Sequence, residues 1–388
     1  MQAVEHAARH PIVLLVGASA WQQTLVFAQR LQREGVLCVV VDWGGHACNA
    51  SFVHRWRTGA QTPAELRNEL IRWRNDPQLR IVLPMAEDLI PLCHEVFSGT
   101  GLLMNEACPV APDTLLSKSL MIEQARQAGL IVPRSEIVQT LQQALEMALA
   151  WGYPVMLKGD GGSGGSQVFR CTDAQDLTRA FATLSGISTI SLQEWVAGNP
   201  WAAGGYFEAG KLLRVHVYQK LLLAGSNPTA PPERIRHETL PQAIDDLCRI
   251  GRHLRWEGYG QLDFVRRPIG ELVFLEFNPR PWGSITAANA GGGDMLGALA
   301  SRANGQSVAL DLENNDEWTG LVYPKPLHRL AREGRFFEVL RLLLSREFQQ
   351  SRPLQAWSRE LENSFLKEAY WRWKWYWAWK WARKNHPS

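Results

Sequence analysis

The chain lacks any pairing pattern for its cysteines. Six of them (Cys38, Cys48, Cys93, Cys108, Cys171 and Cys248) are scattered over 388 residues, with no CxxC and no Cys/His cluster. That argues against a disulfide framework and a thiolate zinc site, and fits a reducing, cytoplasmic compartment. Long apolar runs are also missing: none approaches the ~18 residues of a spanning helix. The N-terminal run IVLLV reads as a first strand rather than a signal peptide. There is no strong excess of one charge, and a net +3 gives no global case for nucleic acid. The loop after the first strand, Gly17-Ala18-Ser19-Ala20-Trp21, is not GxGxxG, so the dinucleotide fingerprint is absent. No internal repeat is visible.

What is present begins with strand, helix and strand over residues 11–43, with Gly35 closing the helix, and a further strand in RIVLPMAED (80–88). The first third is therefore expected to be a doubly wound α/β unit. Helices are expected from about Ser117 to Gly129, Leu141 to Ala150 and Pro241 to Leu254. Between them lie the strand–loop–strand YPVMLKGDGGSGGSQVFRC and two further strands, SLQEWV and the segment around GGYFEAGKLLRVHVYQK, joined by Gly198-Asn199-Pro200. The Pro-rich stretch 226–234 is expected to be a loop.

The most informative stretch is GQLDFVRRPIGELVFLEFNPRPWG (260–283). It reads as two strands joined by a turn at Arg266-Arg267-Pro268-Ile269-Gly270. Glu276 and Asn278 are two apart and share a face. Folding back at Pro268-Ile269 puts Asp263 opposite Phe274 and diagonal to Glu276, about 7–8 Å away. Two carboxylates and an amide oxygen on one surface are a hard-oxygen set suited to Mg²⁺, with Mn²⁺ as an alternative.

Upstream, Lys158 ends an apolar strand and is followed by Gly159, Gly161, Gly162, Ser163, Gly164 and Gly165 before the next strand starts. Glycines let the backbone approach a polyphosphate and turn N–H groups toward it, with the lysine as a point charge. This is not a P-loop, because the lysine precedes the glycines and a strand follows.

Taken in order, Ser117-Lys118, Lys158 with its glycine loop, Gln193-Glu194-Trp195-Val196, Asp263 and Glu276-Phe277-Asn278-Pro279-Arg280 resemble the ATP-grasp superfamily over roughly residues 11–300. The spacing from Arg280 through Trp282-Gly283-Ser284 to the AANAGG segment resembles its envelope-associated, D-aspartate ligase-like carboxylate–amine ligases. The resemblance implies an α/β and α+β chain: a Rossmann-like pre-ATP-grasp domain (1–112), an ATP-grasp domain (113–310) and a C-terminal extension (311–388). Within the second, it implies a glycine-loop lid over about 125–195 and a metal-binding sheet over about 200–300. It further implies that Lys118, Lys158 and residues 161–165 contact ATP phosphates, and that Gln193, Glu194, Trp195 and Val196 hold adenine. Asp263, Glu276 and Asn278 would hold Mg²⁺, and Arg280 would steady the transferred phosphoryl group and the acyl-phosphate oxyanion. The activity implied is amide formation between a carboxylate and an amine, on a small or envelope-precursor substrate. One departure stands out: many relatives carry a second glutamate about six residues past the hinge acid, where this chain reads Gly198-Asn199-Pro200-Trp201.

His216, His237 and His253 have no partners at ligand spacing and read as surface or internally satisfied residues. Arg214, Lys220 and Arg234 either face an acidic substrate or are solvated. The amphipathic helix around 335–348 reads as packing on the main body.

From Lys325 to Ser388 there are 14 Lys/Arg against 6 Asp/Glu, a net +8, while the rest of the chain carries 27 against 32, a net −5. In YWRWKWYWAWKWARK (370–384), six tryptophans (371, 373, 375, 377, 379 and 381) alternate with Arg372, Lys374, Tyr376, Ala378 and Lys380. That pattern points to peripheral contact with an anionic membrane at the inner face, the competing reading being a tail packed on the body or on a second copy. Two other functions stay open: an ATP-binding regulatory protein without turnover, and a membrane-bound scaffold defined by its tail.

Overall fold

The computed structural model describes residues 10–17, 21–43, 53–60, 62–160, 167–223, 231–288, 293–313, 318–322 and 325–346. Gly161, Gly162, Ser163, Gly164, Gly165 and the segment 370–384 thus lie outside the described residues.

The first unit is a parallel sheet of β1 (Ile12–Val16), β2 (Leu37–Trp43), β3 (Arg55–Ala60) and β4 (Leu79–Pro84), in the order β3-β2-β1-β4. Every residue of β1 is buried. Val13 and Leu15 pack on α1 (Trp21–Arg33), while Ile12, Leu14 and Val16 join the core under α2 (Pro63–Arg74) and α3 (Ile90–Phe97). Layers on both faces are why this strand reads as an unbroken apolar run. The start of α2 is written locally: Thr62 accepts from the Glu65 N–H, and Pro63 supplies a preset φ at the first position. Strand β3 was not expected, because RWRTGA has no alternating apolar pattern.

Two short helices, α4 (Pro112–Leu116) and α5 (Lys118–Gln127), lead into an antiparallel sheet of β5 (Ser135–Ile137), β6 (Val155–Gly159), β7 (Val168–Cys171) and β8 (Ile190–Glu194). Its order is β5-β8-β6-β7. Helices α6 (Leu141–Trp151) and α7 (Ala174–Thr183) back it, capped by Thr140 and Asp173.

The largest sheet holds β9 (Asn199–Glu208), β10 (Lys211–Leu223), β11 (Pro232–His237), β12 (Gly258–Arg266), β13 (Leu272–Asn278) and β14 (Thr319–Leu321). Its order is β13-β12-β9-β10-β11-β14. Helix α8 (Pro241–His253) lies between β11 and β12 in sequence. After β13 come α9 (Ile285–Ala288), α10 (Met295–Ala303), α11 (Lys325–Arg332) and α12 (Phe336–Leu343). Two expectations are corrected here. The segment around GGYFEAGKLLRVHVYQK is a hairpin rather than one strand, turning at Ala209 and Gly210, both at positive φ. Pro232 to Arg234 belong to β11, an edge-proximal strand hidden by its prolines, rather than to a loop.

Period-2 alternation assigns the faces of this sheet. Ala203, Phe207, Val215, Val217, Leu262, Phe264, Leu272 and Phe274 point to one side and pack with Met121, Ile122, Ala243, Leu247 and Ile250 of α5 and α8. Fully burying a side chain such as Leu247 or Ile250 stabilises by about 1.5–3 kcal/mol. The other face carries Gln261 and Asp263 of β12, Glu276 and Asn278 of β13, and His216, Tyr218 and Lys220 of β10. Between β12 and β10 runs β9, which places Ala202 between Asp263 and Tyr218, and Gly204 between Gln261 and His216, on this face.

Those two small residues matter because strands two apart are separated by about 9–10 Å. Only with nothing larger than a methyl between them can groups on β10 reach β12. Gly204 also seats Trp282, which is 1% exposed, against the sheet: a Cβ there would lie 2.3 Å from the indole ring. Gly204→Ala is therefore expected to cost roughly 1–3 kcal/mol in a denaturant melt. An unchanged midpoint would show that the ring can be reseated freely.

Candidate active site

The register between β12 and β13 differs from the expected one. Asp263 is paired directly with Glu276, and Gln261 with Asn278; the register then shifts, so that Phe264 faces Phe274. The bulge takes up Leu275 and brings the two carboxylates directly opposite one another instead of diagonally. Directly opposed side chains on antiparallel strands have Cβ atoms about 4.5–5.5 Å apart. Burial pushes Asp263 above the usual carboxylate range, against the pull of Lys220. It pushes Glu276 up too, with Lys118 opposing and Asp263 adding to the rise. Glu276 and Asn278 keep some surface open to the cleft.

This donor set fits a hard divalent cation. Two carboxylates forced together under protein, both resisting ionisation, would be relieved by a positive ion, and the Asn278 amide oxygen is on the same face. Among the described residues there is no cluster of three or more His, Cys, Asp and Glu side chains that could hold a metal. The set here is instead two carboxylates and an amide.

Lys220 reaches over Ala202 to this pair, its Nζ 2.9 Å from Asp263 Oδ1, with the two side chains 2% and 6% exposed. The same gap lets Gln261 Nε2 donate to the Tyr218 hydroxyl oxygen (2.5 Å), which also accepts from Ser284 Oγ (2.6 Å). Of the three basic residues considered around the Pro-rich stretch, Lys220 lies in the site. Arg234 is on the opposite face of β11 from Glu233 and His237 and is exposed. Arg214 donates to the Leu213 carbonyl (3.1 Å).

Lys158 lies in β6 and is 5% exposed. Burial lowers it to about 8, with Glu276 opposing and Lys118 adding to the drop. Lys158, Lys118, Asp263 and Glu276 lie near enough to influence one another's charge. A residue not anticipated from sequence holds the lysines there. Asp160 accepts from Ser117 Oγ (2.5 Å) and from the Lys118 backbone N–H (2.8 Å), so the end of β6 is stapled to the N-terminus of α5. A carboxylate is favoured at that position by the unpaired N–H groups and the positive end of the helix. Ser117 serves both ends, since its Oγ also accepts from the Leu120 N–H.

Arg280 follows β13, its guanidinium 2.6 Å from Glu87 Oε1, and it donates to the Pro281 carbonyl. Glu87, just after β4, brings the first unit to the site. Burial pushes its carboxyl up while Arg280 pulls it back. Glu87 was missed from sequence, where it is one acid at a strand end, although crevices beyond the carboxyl ends of parallel strands are where ligands gather.

Gln193 is buried at the end of β8. Glu194 is 3.2 Å from an Arg267 nitrogen, Trp195 lies under the Arg170 guanidinium at 4.6 Å, and Val196 packs with Val265, Val273 and Leu275. Residues 195–198 carry the chain from the small sheet into the large one, and Asn199 begins β9, exposed.

The histidines divide. His216 and His237 are buried with their Nε2 atoms 2.9 Å apart, and burial with the neighbouring His237 holds His216 well below the usual imidazole range, so it stays neutral. His253 Nε2 is 2.9 Å from the Gln124 amide oxygen. A cavity of about 560 Å³ lies elsewhere, lined by Ile81, Leu103, Glu257 and Arg302 among others. The charge constellation, rather than this cavity, is the candidate site.

The chain also resembles known proteins over part or most of its length. Residues 117–194 match the family model described as "Carbamoyl-phosphate synthase L chain, ATP binding domain". The chain is 26% identical over 211 residues to the carbamoyl phosphate synthase large chain of Thermotoga petrophila, covering 50% of this chain but only 18% of that one. Among solved structures it resembles the ADP complex of N5-carboxyaminoimidazole ribonucleotide synthetase, with a TM-score of 0.65, 15% identity and coverage of 80% and 81%. It also resembles the L-amino acid ligase from Bacillus licheniformis, with a TM-score of 0.59, 14% identity and coverage of 76% and 74%.

Proposed function

We propose that this chain, whose fold is ATP-grasp, is an ATP-dependent ligase that activates a carboxylate as an acyl phosphate and transfers the acyl group to an amine. The observation that carries the reading is the grouping of Lys118, Lys158, Lys220 and Arg280 around Asp263 and Glu276, on a sheet face that also carries Asn278. Four cations suit a polyphosphate, and two carboxylates with an amide suit the metal that travels with it.

In the first step, a substrate carboxylate oxygen attacks the γ-phosphorus, the β–γ bridge breaks, and ADP leaves. In the second, the amine nitrogen attacks the acyl carbon, inorganic phosphate departs with the oxygen, and the nitrogen loses its extra proton to give the amide. Lys158 and Lys118 hold the phosphates, and residues 161–165, which lie outside the described residues, are assigned from sequence alone as the glycine loop that accompanies them. Arg280, oriented by Glu87, neutralises charge on the transferred group and the acyl oxygen. Asp263, Glu276 and Asn278 would hold Mg²⁺, which neutralises polyphosphate charge when bound. Gln193 to Val196, where the two sheets join, form the adenine hinge.

The test is ADP release across a panel of acids and amines, with mass detection of product. Release that requires both an acid and an amine, with an amide formed, supports the reading. Tight ATP binding without turnover against the whole panel would replace it with a regulatory nucleotide binder.

Lys158 makes ATP affinity pH-dependent. Its folded value of about 8 lies below the ordinary 10.5, so the folded state is disfavoured while the ammonium is charged and gains stability as pH rises from about 8 toward 10.5. Phosphate binding runs the other way, since it needs the charge. The ATP dissociation constant, measured by calorimetry, should rise toward tenfold between about pH 7 and 9. Lys158→Arg, which keeps its charge, should flatten that profile.

A further inference from the structure

We propose that the outer face of α12 is a docking surface for an anionic lipid bilayer. The helix is apolar on two sides. Its inner side packs on the body through Val339, Leu342 and Leu343, against Leu321 and Leu327. Its outer side presents Phe337, Leu340 and Leu344 at 90%, 58% and 84% exposure, a stripe at i, i+3 and i+7. The expectation that this helix simply packs on the body therefore holds for only half of it. Arg341, four residues on from Phe337, is exposed on the same side, and Arg335 neutralises Glu338. Arg329 fixes the preceding helix α11 to buried Glu233 of β11, so the stripe is held on the body.

Three occupants are conceivable, and charge separates them. A second copy would bring together two C-terminal stretches that each carry a net positive charge. The chain's own tail is also basic, since residues 325–388 carry a net +8, and its six alternating tryptophans exceed what three apolar side chains could cover. An anionic bilayer complements both the apolar stripe, which can enter the interface, and the basic, tryptophan-rich composition of the sequence that follows it. No helix among the described residues is long and apolar enough to cross a membrane. The contact is peripheral.

The experiment is co-sedimentation of the full chain with phosphatidylcholine vesicles, and with vesicles in which about a third of the lipid is phosphatidylglycerol. Two full-length variants accompany it, F337S/L340S/L344S and Leu344→Ser, with melting temperature and ATP binding as checks on folding. Leu344 is too exposed for its replacement to disturb the core. The expected result is binding to the anionic vesicles only, weakened by salt, and reduced about tenfold or more in the triple variant and measurably in Leu344→Ser. The proposal is overturned if the parent does not sediment or binds both vesicle types alike. It is equally overturned if Leu344→Ser and the folded triple variant bind as the parent does, or if the parent is a dimer that the stripe substitutions dissociate.

Discussion

Glu276→Gln is expected to lower ADP release by about a thousandfold while leaving the fold at least as stable as the parent. The two effects come from the same geometry. Glu276 faces Asp263 directly across β12 and β13, so two carboxylates share a space that burial has already made unfavourable for charge. Such a pair is costly in the resting protein and useful only when a cation or a polyphosphate with its metal is present. The amide keeps shape and one oxygen but removes the charge. For the sign of the pH effect, a carboxyl whose folded value is raised above its ordinary 4.5 stabilises below that value and loses the contribution as pH rises through the folded one. The stability gain of Glu276→Gln should therefore be largest near neutral pH and vanish toward about pH 4. Melts at several pH values, with steady-state ADP release, check both halves. Retained turnover would remove the metal assignment; a large loss of stability would mean that Glu276 holds the sheet together.

How much of this was legible in the sequence depends on how far apart in the chain the partners lie. Asp263, Glu276 and Asn278 could be grouped on one face because a single hairpin joins them and the strand period is two. Even there the register was wrong, since nothing in EFNPR or LDFVR announces that Leu275 will be taken up by a bulge. Strands rich in β-branched residues, such as β1 and β2, and helices with written caps, such as Ser117 before α5, followed from local pattern. Strands β3 and β11 did not: one lacks alternation and the other starts among prolines.

The pieces that complete the site are single charged residues brought in by topology. Lys220 meets Asp263 only because β9 lies between their strands and offers Ala202 there. Asp160 finds the N-terminus of α5 from the end of another strand, and Glu87 arrives from a different sheet. None carries a local signal, because a lone Lys, Asp or Glu on a strand end is most often solvated. Their meaning is fixed by sheet order, which no window along the chain contains.

Lys220→Met is expected to destabilise the protein by about 3–5 kcal/mol at neutral pH, more than most single substitutions do. The ammonium is 2.9 Å from Asp263 Oδ1, and neither side chain is more than 6% exposed, so solvent cannot replace the lost charge. Methionine fills the space but leaves a buried carboxylate that burial already pushes toward protonation. Asp263 will respond by taking up a proton, which caps the penalty and gives it a direction in pH. With its folded value raised further, stability is lost as pH rises, so the deficit should be greatest above neutrality and shrink in acid. The double variant K220M/D263N decides whether the pair or the packing is responsible. If the cost is an uncompensated charge, neutralising Asp263 should recover most of the stability, with a coupling of ~2 kcal/mol or more between the sites once Asp263→Asn is measured alone, while turnover stays absent in both single variants and the double. Were Lys220→Met as stable as the parent at pH 8, the ammonium would not be what balances Asp263, and Lys158 or Arg280 would have to take its place. Were the double variant no better than the single, the loss would belong to packing over Ala202, and the electrostatic account of this face of the sheet would fail.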